Sequence, residues 1–333
     1  MKLNENFDQL IKKEKRKRLL KTIAISFVTT VVLLFIGFTL INKRMEMQYK
    51  KAQEMANITD MIESPNLVSQ SQYLSTSGRV TSQLKSERFK NIDGYMVVAT
   101  PLEINFSLFG IGYGSGKNSS LTVPITKTKE IGAFSRENGE KLPLFFNPKH
   151  KESETQQEAK ETHEARTLSG FKNHVAEVAI SFKKPMTYDE IQAKIPENVL
   201  INWYWLGMAS DQLSATETVG KVIGINADET GKLSSESLKS KTSSAWSSPN
   251  YPSFVAAVKT AAEKRSYTVN GLDIYQDALK QIEKYPTLKT AKFSGIIVSG
   301  RTENLAKLDD APYVYATNVG LQAEILPYIE PTK

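Results

Sequence analysis

TIAISFVTTVVLLFIGFTLI, residues 22–41, runs for 20 residues without a charge. At about 1.5 Å rise per residue, a helix of that length spans roughly 30 Å, the hydrocarbon thickness of a bilayer. Val28, Val31, Val32, Leu33, Leu34, Phe35 and Ile36 leave no polar face, which argues against the core helix of a soluble domain. The stretch reads as a single membrane span. It divides the 333 residues into a tail of 21 and a body of about 290. The apolar run is longer than a signal-peptide core, and FTLINKRMEMQ after it offers no A-x-A site, so the reading is an uncleaved anchor.

The net charge of +7 separates by region. Residues 1–21 hold eight Lys or Arg against three acidic residues; the remainder holds 35 basic and 33 acidic side chains. The body therefore has no charge bias toward nucleic acid, and no direct DNA binding is expected. Fewer basic residues follow the span, led by Lys43 and Arg44, so the positive-inside rule places the N-terminus in the cytoplasm and the body outside. The chain has no cysteine. That excludes a Cys-ligated zinc site, a Cys nucleophile and disulfides.

Leu3, Phe7, Leu10 and Ile11 fall at helical spacing beside the block KKEKRKR. They are candidates for docking a cytoplasmic partner; a polybasic flank lying on anionic headgroups is the plainer reading. After the span, Ile41, Met45, Gln48, Ala52, Met55, Thr59 and Ile62 alternate at four- and three-residue spacing. This predicts a stalk helix over 42–63 ended by Ser64-Pro65-Asn66. A two-stranded seam is poor because Gln48 and Thr59 occupy it, so a lone stalk is expected, with a homo-oligomer left open.

Residues 64–148 read as β-rich, with a glycine run, GIGYGSG (110–116), that lacks the Lys-Ser/Thr of a phosphate loop and is expected to be a loop between strands. Residues 149–167 are charged and nearly free of apolar side chains, predicting an exposed linker and a boundary. Residues 168–333 form a C-terminal α+β domain. There a strand over 175–182, a capping box at Thr187 and Glu190, Pro196 and a strand over 199–206 closed by Gly207 form one unit. A strand over 293–298, Thr302 as a cap, Pro312 and a strand over 313–319 closed by Gly320 form a second. The two units read as a weak duplication, and sixteen residues suffice for a parallel crossover in the first. Between them, two helices are expected near 252–264 and 272–285. The fold class is thus α+β: one N-terminal transmembrane helix, a mostly-β region, and a C-terminal domain with two strand-helix-strand units.

No catalytic constellation emerges. His150, His163 and His174 have no ligand spacing and read as solvated. There is no G-x-S-x-G elbow, and Ser82-x-x-Lys85 with Ser248-x-Asn250 is out of order with Lys241-Thr-Ser. Asp309-Asp310 falls in a loop. Trp203 and Trp205 share one strand face and are candidates for a ligand or partner patch, with core packing the stronger reading. No cofactor or metal is expected.

Two stretches resemble a known family. F-x-x-L-x-K-K-x-K-R-K-x-x-x-K-T-I over 7–23, with a single span and a stalk ending in Ser64-Pro65-Asn66, resembles the sigma factor regulator N-terminal region. AEVAISFKKP (176–185) through WYWLG (203–207), with the closing strand-helix-strand, resembles the matching C-terminal domain. The resemblance implies a membrane-anchored regulator, similar to the anti-sigma factors of extracytoplasmic-function sigma factors in Gram-positive bacteria, that senses envelope stress and is not an enzyme. The tail lacks the zinc-binding His and Cys pattern of many anti-sigma domains. The partner that the resemblance implies is a sigma factor, held directly or through a second membrane-bound anti-sigma protein; with so short a tail, either that second protein supplies the clamp or this copy has lost it. The alternative from another class is a cell-envelope enzyme or accessory acting on wall polymers, which needs a cleft with a perturbed acid or nucleophile; a third reading is a purely structural membrane scaffold.

Overall fold

A computed structural model describes residues 2–113, 120–124, 131–136, 138–149, 160–209, 216–218, 222–227, 249–269 and 271–329. Helix α1 (Lys2–Ile62) is unbroken from tail to stalk. Among the described residues it is the one helix long and apolar enough to cross a membrane. Its apolar side chains over 22–41 stand almost entirely exposed, as lipid-facing groups do.

Beyond the span the helix changes character. Ala52, Ala56 and Ile62 have no exposed surface, and Gln48 is buried. The expected lone stalk is instead a core element. The stripe that reads as a coiled-coil seam is the face that docks on the protein's own body. The helix stops as predicted: the Ser64 hydroxyl donates to the Thr59 carbonyl at 2.9 Å, and Asn66 takes a left-handed φ of 51°.

Strands β1 (Val68–Ser77), β2 (Thr81–Ile92), β3 (Tyr95–Ser107) and β4 (Gly110–Tyr113) follow as an antiparallel meander in that order. Gly110 to Tyr113 is thus a strand rather than a loop; Gly114 to Gly116 lie outside the described residues. Leu84, Leu102, Ile104 and Phe106 of this sheet pack on Ala52 and Ala56 of α1. Strands β5 (Ser120–Pro124), β6 (Ile131–Ser135) and β7 (Lys141–Leu142) form a small second sheet, and β8 (Leu144–Phe146) pairs with β11 (Thr216–Thr218).

The C-terminal sheet contains β9 (His174–Met186), β10 (Leu200–Trp205), β12 (Gly224–Asn226), β15 (Phe293–Arg301) and β16 (Val314–Glu324), in the order β12-β10-β15-β9-β16. Every neighbouring pair is antiparallel. Consequently β9 and β10 run parallel with β15 between them, and β15 and β16 run parallel with β9 between them. The two strand-helix-strand units are real, but each is split by a strand of the other. This is the ferredoxin-like interleaving, which explains why a parallel crossover is legible while the pairing it suggests is absent.

The crossovers are short: α2 (Tyr188–Gln192) and α5 (Thr302–Leu305). The capping box at α2 is present, with Glu190 N donating to the Thr187 hydroxyl at 3.3 Å and Thr187 N to the Glu190 carboxylate at 2.7 Å. Thr302 differs from expectation. It is fully buried and its hydroxyl donates to the Phe171 carbonyl at 2.7 Å, tying the crossover to the preceding segment rather than capping a helix. Gly207 closes β10 at φ 71°, where a Cβ would meet Ser294 Oγ at 2.1 Å, so no other residue fits.

Between β10 and β15 lie α3 (Tyr251–Lys264), the two-residue strands β13 (Thr268–Val269) and β14 (Leu272–Asp273), and α4 (Ile274–Lys284). One face of the C-terminal sheet, with Val178, Ile180, Phe182, Ile296 and Val298, packs on these helices and on Ile58 and Ile62 of α1. The opposite face carries Ala179, Trp203, Trp205 and Ile297 against Phe145 of β8.

Of the expected linker over 149–167, residues 150–159 lie outside the described residues, and 160–167 are packed on the body rather than free of it. A 3-10 turn (Glu164–Gly170) docks on β16, with Thr162, Ala165 and Leu168 buried. Asp309 holds it: Arg166 Nε donates to Asp309 at 2.8 Å and His163 Nδ1 lies 3.2 Å away. His163 and Asp309 thus have structural partners that the sequence reading did not assign.

Candidate functional site at the end of the membrane helix

Charged side chains rarely enter a protein interior unless paired. Strand β2 carries two that do. Its inner face reads Leu84, Ser86, Arg88, Lys90 and Ile92, all buried. Leu84 meets α1; further along, the same face meets the last turn of α1 and then the C-terminal sheet.

Arg88 forms an ion pair with Asp60 of α1, whose other oxygen accepts from Ser69 at 2.6 Å. One turn on, Glu63 receives Arg265 at 2.7 Å and the Tyr275 hydroxyl at 2.8 Å, both from the α3–α4 region. A second Arg265 nitrogen donates to Thr59 at 3.1 Å, and the guanidinium lies over the Tyr275 ring. The last turns of α1 are therefore clamped from one side by the first sheet and from the other by the C-terminal helices. Burial pushes the Glu63 carboxyl above its ordinary range, although Arg265, Tyr275 and Arg88 each pull it down.

Deeper in, Lys90 and Glu177 are fully buried. The ammonium lies 3.1 Å from Glu177 and 2.7 Å from Glu140. Asn66, in the turn that ends α1, donates to Glu177 at 3.2 Å. Burial raises the Glu177 pKa and outweighs the pull of Lys90. Burial alone would lower that of Lys90, but Glu177 and Glu140 together raise it. The causes differ: Glu177 is raised chiefly by its burial, whereas Lys90 is raised because two carboxylates share its one ammonium. Gly320 passes directly over this group; a Cβ there would lie 3.1 Å from Glu177 Oε1.

Beside these pairs is a cavity of about 490 Å³, lined by Met55 and Thr59 of α1 and Glu63 just past its end, by Arg88 and Lys90, by Ala99 and Leu102, and by Arg265 and Tyr275. Arg88 Nε and Arg265 Nε are buried and, among the described residues, have no hydrogen-bond partner. A buried donor left unpaired costs about 1–3 kcal/mol, so both are primed to take an acceptor.

The residues singled out in the sequence lie elsewhere. Leu3, Phe7, Leu10 and Ile11 share one side of α1 by their spacing; Leu10 and Ile11 are exposed, and the side chains of Leu3 and Phe7 lie outside the described residues. Trp203 and Trp205 present no surface patch. Both are buried, with Phe145 stacked on Trp205 at 4.6 Å and tilted against Trp203 at 6.0 Å. His150 lies outside the described residues; His174 Nδ1 lies 2.7 Å from the Lys172 carbonyl.

Arg88, Lys90, Glu177 and Arg265 escape sequence reasoning singly, yet three carry a signal. Arg88 and Lys90 alternate in phase with Leu84 and Ile92, which places charge on an inward face. Glu177 interrupts the apolar run HVAEVAISF.

Two family models match the chain. One, described as sigma factor regulator N-terminal, covers residues 8–97. The other, described as sigma factor regulator C-terminal, covers residues 168–321. No match was found among curated proteins or solved structures. The two matched regions meet at the buried cluster, where Asn66 and Lys90 of the first hold Glu177 of the second.

Proposed function

Since the chain belongs to the sigma factor regulator family, we propose that it is an anti-sigma-factor-like regulator whose extracytoplasmic body senses the cell envelope and signals through α1. The observation that carries this reading is the continuity of α1. One helix holds the candidate partner stripe near its start, the apolar span in its middle, and Asp60 and Glu63 in the clamp at its end. A rearrangement of the body at the cavity must therefore alter the packing of the last turns of α1. It is then transmitted along a rigid element rather than a flexible linker.

In this reading the tail faces the cytoplasm, and Leu3, Phe7, Leu10 and Ile11 engage the sigma factor or a second membrane-bound anti-sigma protein. Two experiments test it. A reporter active only outside the membrane should work when fused after Lys333 and fail when fused before Phe7. In cells where deleting the gene raises sigma-dependent transcription, Phe7→Ala with Leu10→Ala should raise it comparably. Arg265→Gln, which releases Glu63, should also shift it while the protein stays in the membrane at its normal level. Transcription unchanged by both variants overturns the reading.

A further inference from the structure

The end of the first sheet nearest the span carries large apolar side chains that stand exposed among the described residues. The β3–β4 turn places Phe109 at its tip, 94% exposed. The β1–β2 turn places Val80 at its own tip, half exposed. Both turns lie at one end of the meander, because Thr81 pairs with Ser107 and Ser107 with Gly110.

Contacts with α1 fix their height. Arg44 Nε donates to the Leu108 carbonyl at 3.2 Å, and the Arg79 guanidinium lies 5.3 Å from the centre of the Phe38 ring. Phe38 belongs to the uncharged stretch, three residues before its end, or about 4–5 Å inside the apolar segment along the helix axis. Thus the two tips reach the level at which the span leaves the hydrocarbon. Lys43, Arg44 and Arg79 are exposed around them, an arrangement suited to anionic headgroups above an apolar boundary.

We propose that these two turns dip into the outer boundary of the bilayer, with Phe109 and Val80 among the upper acyl chains and Lys43, Arg44 and Arg79 among the phosphates. The proposal rests on residues 22–41 spanning the membrane, but not on what the tail binds. The occupant is lipid rather than a second protein copy because the tips flank the protein's own span and the surrounding charge is basic. Its consequence is mechanical. A body fixed to the bilayer at α1 and at two turns cannot swing freely, so changes in bilayer thickness or surface charge act on the sheet that clamps Asp60.

The absence of cysteine makes the test clean. Phe109→Cys, Val80→Cys and, as a control, Val98→Cys are made singly in the full chain, labelled with a nitroxide and reconstituted into nanodiscs of phosphatidylcholine with phosphatidylglycerol. Val98 is also exposed but lies nine residues back along β3, roughly 30 Å from the tip. The expected result is preferential relaxation by oxygen at positions 109 and 80, and by a water-soluble nickel complex at position 98. Replacing phosphatidylglycerol with phosphatidylcholine should make both tips shallower. Water-like relaxation at 109 and 80 overturns the proposal. So does spin–spin broadening at either tip, which would show a second copy as the occupant.

Discussion

The two halves of α1 obey opposite rules within one unbroken helix. Residues 22–41 are apolar on every side and exposed on every side, whereas Gln48, Ala52, Ala56 and Ile62 are buried by the body. The first half asks only for length and uniform hydrophobicity, because lipid surrounds it evenly. The second needs small residues where the sheet approaches and charged residues where partners wait: Ala52 and Ala56 against Leu84 and Ile104, then Asp60 and Glu63 against Arg88 and Arg265. The helix is therefore an anchor at one end and a core element at the other. A regulator built this way has no hinge between the membrane and its body.

The largest expected effect comes from breaking the docked half. Ala56→Arg forces a long cation into a site with no exposed surface among Leu84, Leu102 and Phe106. The cost should be about 3 kcal/mol or more. Leu34→Ala, at a residue 69% exposed in the free half, should leave the stability of the body unchanged. Near-ultraviolet circular dichroism of the full chain in micelles follows this directly, since Trp203 and Trp205 are core residues. Equal effects of the two substitutions would erase the distinction between the halves.

How much of this was legible in the sequence follows from the same contrast. The span needs only composition, so it could be read outright. The periodicity of the stalk was equally plain, but its partner was not. Spacing at three and four residues says that a face is buried and never by what; here the first sheet covers it at Ala52 and Ala56, and the C-terminal domain covers it at Ile58 and Ile62. The C-terminal units were legible because Thr187, Glu190 and Gly207 act locally. Their interleaving was not, because strand order is a matter of distant pairing. The site was the least legible part. Asn66, Lys90, Glu140 and Glu177 come from four separate segments, and the hints that charge turns inward were the parity of Arg88 and Lys90 along β2 and the break that Glu177 makes in an apolar run. Trp203 and Trp205 drew attention as aromatic residues and proved to be packing.

A middle-sized effect should appear with pH. Burial raises the Glu63 carboxyl above its ordinary value of 4.5, and burial raises Glu177 likewise. For a carboxyl whose folded pKa is raised, the folded state holds the proton more tightly. That stabilisation is complete below the unfolded value and is lost as pH rises through the folded one. The body should therefore be more stable at pH 5 than at pH 8, with each group contributing at most about 1.4 kcal/mol per pH unit. Glu63→Gln keeps an acceptor for Tyr275 and Arg265 but removes one of the two titrations, so the slope should flatten. An unchanged slope would show that the clamp on the docked half does not titrate.

The smallest effect should come from the ion pair at the outer edge of the docked half. Lys264 of α3 pairs with Glu54 of α1, but the two side chains remain 55% and 44% exposed. Water screens such a pair, and holding two long side chains in one geometry costs entropy, so its net contribution is typically below about 1 kcal/mol. The contact looks like a third bolt between α1 and the C-terminal helices, beside Glu63–Arg265. By burial it is not equivalent, because Glu63 and Arg265 are each 9% exposed. Lys264→Gln should lower stability by less than about 1 kcal/mol and lose even that in high salt, as the Debye length shrinks to about 3 Å at 1 M. Arg265→Gln should cost several times more and keep its effect in salt. Equal losses from the two variants would mean that the docked half is held by its surface charges rather than by what the body buries.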